Sequence, residues 1–282
     1  MPVGLLSPGT GSPPIEVGDE NILIKAELAP EILSVPDRGL GEWIARRYLK
    51  EVRDDLLHAD RLMRSFVPGS HRPPIATSLI EDCEQVDPTA LVISGQQVMQ
   101  SWERPYMEAM AREAGRQRGD VLEIGFGMGI SATFLQEYGV RSHTIVECHP
   151  DVLRRAESWR ENYPNRNISI IPGTWQDTRC NFGEYDAILF DAYPLTEGEQ
   201  FSHYVNDVTY AAHFFQTASE HLRSGGVFTY YSNEIDSIGR GHQRSLMKWF
   251  RRVSVEVIKD LTPPEDCHYW QADRILLVVA TR

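Results

Sequence analysis

Over the last two thirds of the chain, short runs of β-branched and aromatic residues alternate with longer stretches whose apolar residues recur every three or four positions. The short runs are VLEIG (121–125), HTIVEC (143–148), ISIIPG (168–173), YDAILFDA (185–192), GGVFTYY (225–231), VSVEVIKDL (253–261) and RILLVVATR (274–282). Strands separated by helices require right-handed crossovers, and these build a mainly parallel sheet covered on both faces. Only TPPEDCHYWQAD separates the last two runs. That stretch leaves no room for a crossover helix, so the two are expected to pair antiparallel at one edge. The prediction is an α/β protein of three layers, α/β/α, with a seven-stranded, mostly parallel sheet and an antiparallel strand 7. That hairpin suggests a class I methyltransferase sheet rather than a purely parallel dinucleotide fold.

The beginning of the chain reads differently. Residues 1–20 are rich in Pro, Gly and Ser without apolar period, which predicts a flexible leader. Between Asp37 and Phe66, Trp43, Ile44, Tyr48, Val52, Leu56 and Met63 recur at helical spacing, and VPGSHRPP then breaks the pattern. Residues 21–93 are therefore expected to form a helical extension, whose apolar stripe must be buried on the main domain or on a second copy, making a homodimer one option. From Ser94, SGQQVMQSWERPYMEAMAREAG reads as a helical region kinked at Pro105 and opens the main domain, 94–282.

Charge narrows the partners. Against 28 Lys and Arg stand 40 Asp and Glu, a net charge of −12, which repels a polyphosphate and offers no basic stripe for nucleic acid. A small or cationic substrate suits this balance better. No window approaches the roughly 18 apolar residues of a membrane span, and the N-terminus lacks the charged start of a signal peptide, so a cytoplasmic location is expected. Cys83, Cys148, Cys180 and Cys267 are too scattered for a zinc site and are expected to be buried, reduced thiols.

Candidate chemistry gathers at the carboxyl ends of the predicted strands. In LEIGFGMGIS, Gly125, Gly127 and Gly129 let the backbone turn tightly and open the N–H groups of a helix start to a ligand. Ile130 stands where a pyrophosphate fingerprint would carry a third small residue. Glu147 ends the second strand, 22 residues after Gly125, where a carboxylate can take both hydroxyls of a ribose. Trp175 and Gln176 follow the third strand; the tryptophan could pack on adenine or belong to the core. Asp191 ends the fourth strand beside the crevice of an open α/β sheet. Met99, Glu103 and Met107 are four apart, so a helix would set them on one face, where a buried glutamate demands a cationic partner.

These blocks, QVMQSWERPYM, VLEIGFGMGI, IVEC, GTWQD, ILFDAYPL, GGVFTY and LTPPEDCHYW, resemble the guanidinoacetate methyltransferase family in order from about Val98 onwards. GFGMGI followed by ECHPDVL is also similar to the relative that methylates arginine in proteins. The resemblance makes 94–282 a methyltransferase domain using S-adenosyl-L-methionine and no metal. It implies a cofactor site lined by Phe126, Gly127, Met128, Gly129, Ile130, Ser131, Glu147, Cys148, His149, Trp175, Gln176 and Asp191, with Met99 and Met107 closing over it. It also implies that Glu103 and Asp191 grip a guanidinium; because a guanidinium must lose a proton to accept a methyl, Asp191 is expected as proton acceptor and Glu103 as orienting anion.

One block departs from the family. Where its members carry a neutral Asn-Leu-Thr stretch that holds the substrate carboxylate, this chain has Ser232, Asn233 and Glu234. An added acid is unfavourable beside a carboxylate but suits an α-ammonium, so Asn233 and Glu234 are expected to bind the amino-acid end of free L-arginine. Free-arginine methyltransferases of this kind feed bacterial antibiotic biosynthesis such as that of streptozotocin. Guanidinoacetate or arginine within a protein are the alternative acceptors. An NAD-dependent oxidoreductase is disfavoured by Ile130 and by the lack of a Tyr-x-x-x-Lys pair, and an inactive scaffold by the retained Glu103 and Asp191.

Overall fold

A computed structural model describes residues 15–17, 22–24, 83–86, 89–93, 96–195, 209–232, 234–267 and 269–282. The chain divides into two units, Met1–Arg61 and Leu62–Arg282. In the first, β1 (Ile15–Val17) and β2 (Ile22–Ile24) form an antiparallel hairpin, so the stretch expected as leader contains a strand. The expected helix between Asp37 and Phe66 lies outside the described residues, and the dimerisation assigned to it goes with it. Within 21–93 the described elements are strands rather than helices.

The second unit opens with a three-stranded antiparallel sheet of β3 (Cys83–Val86), β4 (Ala90–Ile93) and β5 (Gln96–Gln100). Here the expectation of a helix from Ser94 is corrected. Gln96–Gln100 pairs with β4, placing Met99 opposite Leu91, and a 3-10 turn over Ser101–Glu103 leads into α1 (Arg104–Gly115). Pro105 does not kink a helix but starts one, because its missing N–H falls in the first turn, where no carbonyl awaits it. Met99 therefore does not share a helical face with Glu103 and Met107.

After α1 the predicted alternation appears as β6 (Asp120–Ile124), α2 (Ile130–Tyr138), β7 (Ser142–Glu147), α3 (Pro150–Arg160), β8 (Ile168–Pro172), α4 (Trp175–Thr178) and β9 (Tyr185–Phe190). It continues with α5 (Phe215–His221), β10 (Leu222–Ser232), α6 (Arg240–Met247), β11 (Arg252–Ile258) and β12 (Ile275–Thr281). The sheet order is β11-β12-β10-β9-β6-β7-β8. Strands β6 to β10 run parallel to their neighbours in this group, and β12 is antiparallel to both β10 and β11. This is the expected class I methyltransferase sheet with an antiparallel strand 7.

Strand alternation divides the core. Val121, Ala187, Leu189 and Leu277 face α1 and α2, with Met107 and Met110, whereas Leu122, Ile188, Phe190, Phe228 and Val278 face Phe214, Phe215 and Ala218. Because both sheet faces are covered, these strands are apolar throughout and terminate in polar residues at the carboxyl edge. Of the cysteines whose side chains are described, Cys267 is buried, Cys148 partly so and Cys180 exposed, which corrects the expectation that all are buried.

At the opposite edge, Asp186 accepts from the Asp120 backbone N–H at 2.7 Å and meets Arg141 and Arg223 at 2.9 and 2.8 Å. The two arginines also reach Asp120. Burial raises both acids' pKa values, but hydrogen bonds and the guanidinium charges outweigh it and hold both below the ordinary carboxylate range. A depressed folded pKa adds stability above the unfolded value near 4 and loses it as pH falls further. Thermal melts of the wild type should therefore drop steeply below about pH 4. Asp186→Asn should lower neutral-pH stability by about 1–2 kcal/mol and flatten that acid slope.

Candidate active site

The carboxyl ends of β6, β7 and β9 surround one crevice. Gly125, directly after β6, has φ +90°, and a Cβ there would lie 2.0 Å from the Asp191 carbonyl oxygen. Only glycine allows the two strand ends to come so close. Gly127 follows with φ +53°, and a Cβ on it would meet the Met99 sulfur at 2.9 Å. That sulfur accepts a hydrogen bond from the Met128 N–H at 3.3 Å, so β5 supplies Met99 to the glycine turn from outside the main sheet. Helix α2 begins at Ile130, capped by Gly129 in a left-handed conformation without a side-chain cap. The ring of Phe126 covers Gly129 and packs edge-on against Trp159.

Glu147 closes the turn from the side. One carboxylate oxygen accepts from the Phe126 N–H at 2.9 Å, and the other from the N–H groups of Cys148 and His149, both at 2.8 Å. Three backbone donors fix the carboxylate at the end of β7 without saturating its lone pairs. His149 caps α3 by accepting from the Asp151 N–H through Nδ1, which leaves the ring hydrogen on Nε2. That Nε2 is buried and has no hydrogen-bond partner among the described residues. Trp175 Nε1 is in the same condition, although the ring packs edge-on against Phe214 at 5.1 Å and belongs to the core. Gln176 reaches the Tyr210 hydroxyl.

Ser131, placed in the cofactor site by its sequence, instead donates its hydroxyl to Glu123. Glu123 lies fully buried in β6 and is bonded to His143 Nε2 at 2.8 Å, with His143 Nδ1 bonded to Gln136 at 2.9 Å. This buried chain ties the start of α2 to the sheet. Met107 lies wholly inside the core beneath α1.

Beside this crevice a second cluster draws on other segments. Glu103 ends the 3-10 turn before α1 and is 4% exposed. It accepts from the Gln100 N–H at 2.7 Å, from the Tyr269 hydroxyl at the same oxygen, and from the Tyr106 hydroxyl at the other. The sequence argument looks to a cationic partner for this buried glutamate; in the structure two neutral phenols and a backbone N–H hydrogen-bond it. Tyr106 packs against Tyr231 at 5.3 Å, and Trp102 lies about equally far from Tyr106 (6.0 Å) and Tyr269 (5.9 Å). Burial and the facing carboxylates push the Tyr106 and Tyr269 hydroxyls well above the usual phenol range, so both remain donors. Both tyrosines fall within the family-like blocks QVMQSWERPYM and LTPPEDCHYW, whose pattern gives neither of them a role. Tyr106, one helical turn from Glu103, was accessible to spacing; Tyr269 was not.

Asp191 follows directly on β9, and its charge acts on Tyr106 of this cluster. Among the described residues no donor is hydrogen-bonded to its carboxylate. Burial, followed by repulsion from Glu103, Glu123 and Glu147, raises its pKa well above the ordinary aspartate range. Glu103 and Asp191, 88 positions apart, therefore do converge electrostatically. Glu234 does not join them. It is fully buried after β10 and directs its carboxylate to Ser232, Gly239 and His242. The expectation that Glu234 presents a charge to an α-ammonium is thereby corrected, and Ser232 is likewise turned inward with its hydroxyl on Glu234. Asn233 lies outside the described residues.

A family described as guanidinoacetate N-methyltransferase matches residues 78–281. The chain belongs to that family. The match begins before the predicted boundary at residue 94 and so takes in the β3–β5 sheet. Protein arginine N-methyltransferase 2 of Saccharomyces cerevisiae is 31% identical over 167 residues, covering 57% of this chain and 37% of that protein. Its counterpart in Eremothecium gossypii is 40% identical over 100 residues, covering 33% of this chain and 24% of that protein. The chain thus spans well under half the length of either relative. A crystal structure of spermidine synthase with the transition-state analogue AdoDATO aligns with TM-score 0.51 at 18% identity, over 68% of this chain and 66% of that one. That likeness extends to the fold alone.

The methyl donor of this guanidinoacetate N-methyltransferase family member is S-adenosyl-L-methionine, and the crevice fits it. The glycine turn is a cradle that a Cβ would fill, and His149 Nε2 is a buried donor awaiting an acceptor. Glu147 is held where it can take ribose hydroxyls. Among the described residues no cluster of metal ligands occurs. Glu147→Ala should weaken S-adenosylhomocysteine binding at least tenfold by calorimetry. Gly125→Ala should abolish it and destabilise the fold by about 1–3 kcal/mol, because the added Cβ collides with the Asp191 carbonyl.

Proposed function

We propose that the chain is an S-adenosyl-L-methionine-dependent N-methyltransferase acting on the guanidino group of free L-arginine. The observation that carries the guanidino reading is the convergence of Asp191 and Glu103 beside the Gly125 turn, inside a cluster of tyrosines. Two carboxylates held against their mutual repulsion are complementary to a planar cation that donates along both edges. Arginine is favoured because the family matched over 78–281 is described by a small guanidino compound, whereas the similar curated proteins are named for arginine. Those names equally support a second reading, in which the acceptor arginine sits within a protein.

A guanidinium, with a pKa of about 12.5 or more, has no free lone pair at neutral pH and must lose a proton as the methyl arrives. S-adenosylmethionine supplies that methyl on a sulfonium. Glu103, its carboxylate fixed by Tyr106, Tyr269 and the Gln100 N–H, would orient the guanidinium plane. Asp191, unencumbered and of raised pKa, would hold the reacting nitrogen and take its proton at a carboxylate oxygen as the N–C bond forms. The raised pKa makes Asp191 a better proton acceptor than an ordinary aspartate.

Incubation with S-adenosylmethionine and a panel of L-arginine, guanidinoacetate and arginine-containing peptide should yield N-methylarginine by mass spectrometry. Preference for guanidinoacetate or peptide would overturn the free-arginine reading, and no methylated guanidine at all would overturn the function. Asp191→Asn should lower kcat about 10²–10⁴-fold. Because Asp191 must be ionised to act, kcat/KM of the wild type should rise with pH through a value above the ordinary carboxylate range. Asp191→Asn should remove that limb; a limb that persists would assign the proton to another group.

A further inference from the structure

The buried charge that the acceptor site does not use is Glu234. It follows β10, whose neighbour β9 leads directly into Asp191, so the segment Glu234–Gly239 borders the same carboxyl edge of the sheet. Its carboxylate is tied at both oxygens. One accepts from the Gly239 N–H, closing the segment on itself, and the other accepts from the Ser232 hydroxyl at 2.8 Å and from His242 Nδ1 at 2.5 Å. His242, at the start of α6, meets the Tyr230 hydroxyl at 2.5 Å through Nε2 and stacks on Phe215 with planes 12° apart. Tyr230, His242 and Glu234 are all 5% exposed or less.

Such a chain is an unusual occupant of an apolar sheet face, where a hydrophobic triad would pack without the desolvation cost of a carboxylate. What it accomplishes is geometric. It anchors α6 and the turn before it to the last residues of β10. On the opposite face of that strand, Tyr231 packs against Tyr106, which in turn donates to Glu103. Successive residues of one strand thus connect the buried chain on one side to the acceptor carboxylate on the other.

We propose that Glu234, His242 and Tyr230 form a positioning relay that fixes the segment after β10 and the Tyr231 ring against the bound acceptor, determining how tightly the acceptor is held. The inference rests on the guanidino-methyltransferase reading. The relay touches neither methyl donor nor reacting nitrogen, so its loss acts on acceptor binding rather than on the chemical step.

The test compares Glu234→Gln, Tyr230→Phe, His242→Ala and His242→Asn with the wild type, using L-arginine and S-adenosylmethionine. Glu234→Gln and His242→Ala should raise the acceptor KM about tenfold or more, change kcat less than threefold, and leave S-adenosylhomocysteine affinity unaltered. His242→Asn, which can still donate to Glu234, should recover part of the KM lost in His242→Ala. A merely structural role would lower the melting temperature without this split, and that result, or an unchanged KM, would overturn the relay. A wild type that neither binds nor methylates any guanidine would instead overturn the functional reading and the relay with it. Tyr230→Phe isolates the outer hydrogen bond without altering volume and should give a KM between those of wild type and His242→Ala. An effect confined to kcat in that variant would overturn the proposed division.

Discussion

Carboxylates brought out of water toward one another repel, and this protein assembles four of them at one end of its sheet. Glu103, Glu123 and Glu147 each raise the pKa of Asp191, after burial has already done so. Their neighbours settle three of the four differently. Glu147 is held by three backbone N–H groups, Glu123 by His143 and Ser131, and Glu103 by two phenols and an N–H. Among the described residues, no donor is hydrogen-bonded to the carboxylate of Asp191. Fixing three anions with neutral or local donors preserves a negative field in the crevice, whereas pairing them with arginines would have cancelled it. A cationic acceptor and a cationic sulfonium are both stabilised by such a field, and a low local dielectric strengthens it.

The strand-end half of the candidate site was readable in sequence because it follows the chain's own alternation. Each strand end delivers its residue at a fixed place: the Gly125 turn after β6, Glu147 closing β7, Asp191 after β9. Periodicity locates the strands, and the parallel topology alone aligns their carboxyl ends. The cluster around Glu103 obeys no such rule. Glu103 enters from a 3-10 turn ahead of the sheet and Tyr269 from the β11–β12 connection, and the bond between them joins residues 166 positions apart. Gln97 reinforces this junction by donating to the Asp266 carbonyl at 2.9 Å. No spacing argument reaches across such a separation.

Two misreadings share one cause. The apolar-acidic-apolar spacing of Met99, Glu103 and Met107 fitted a helix, but Gln96–Gln100 found a partner in β4, and tertiary pairing overrode local period. Glu234 looked like a substrate ligand because it is an acid where the family carries none. A one-dimensional pattern specifies that an acid is present, not which side of a strand end it faces. His242, eight residues later, supplied the answer, since a buried imidazole and a buried carboxylate at that separation satisfy each other.

The division between the two halves also explains how a widely shared fold serves a particular chemistry. The seven-stranded sheet and its glycine turn are fixed by packing on both faces and by the near contact of Gly125 with the Asp191 carbonyl, so this half tolerates little change. The cluster around Glu103 is joined by side-chain contacts rather than backbone pairing, with Tyr106 in α1, Tyr269 in the β11–β12 connection and Tyr231 on β10. Selection for a new acceptor can therefore work on residues such as Glu103, Tyr106, Tyr231 and Tyr269 while Asp191 keeps its place on β9. Fold likeness at 18% identity to spermidine synthase reports the first half and is silent on the second. The carboxylates and phenols of the second half, not the sheet, are where the proposed preference for a planar cation would be set.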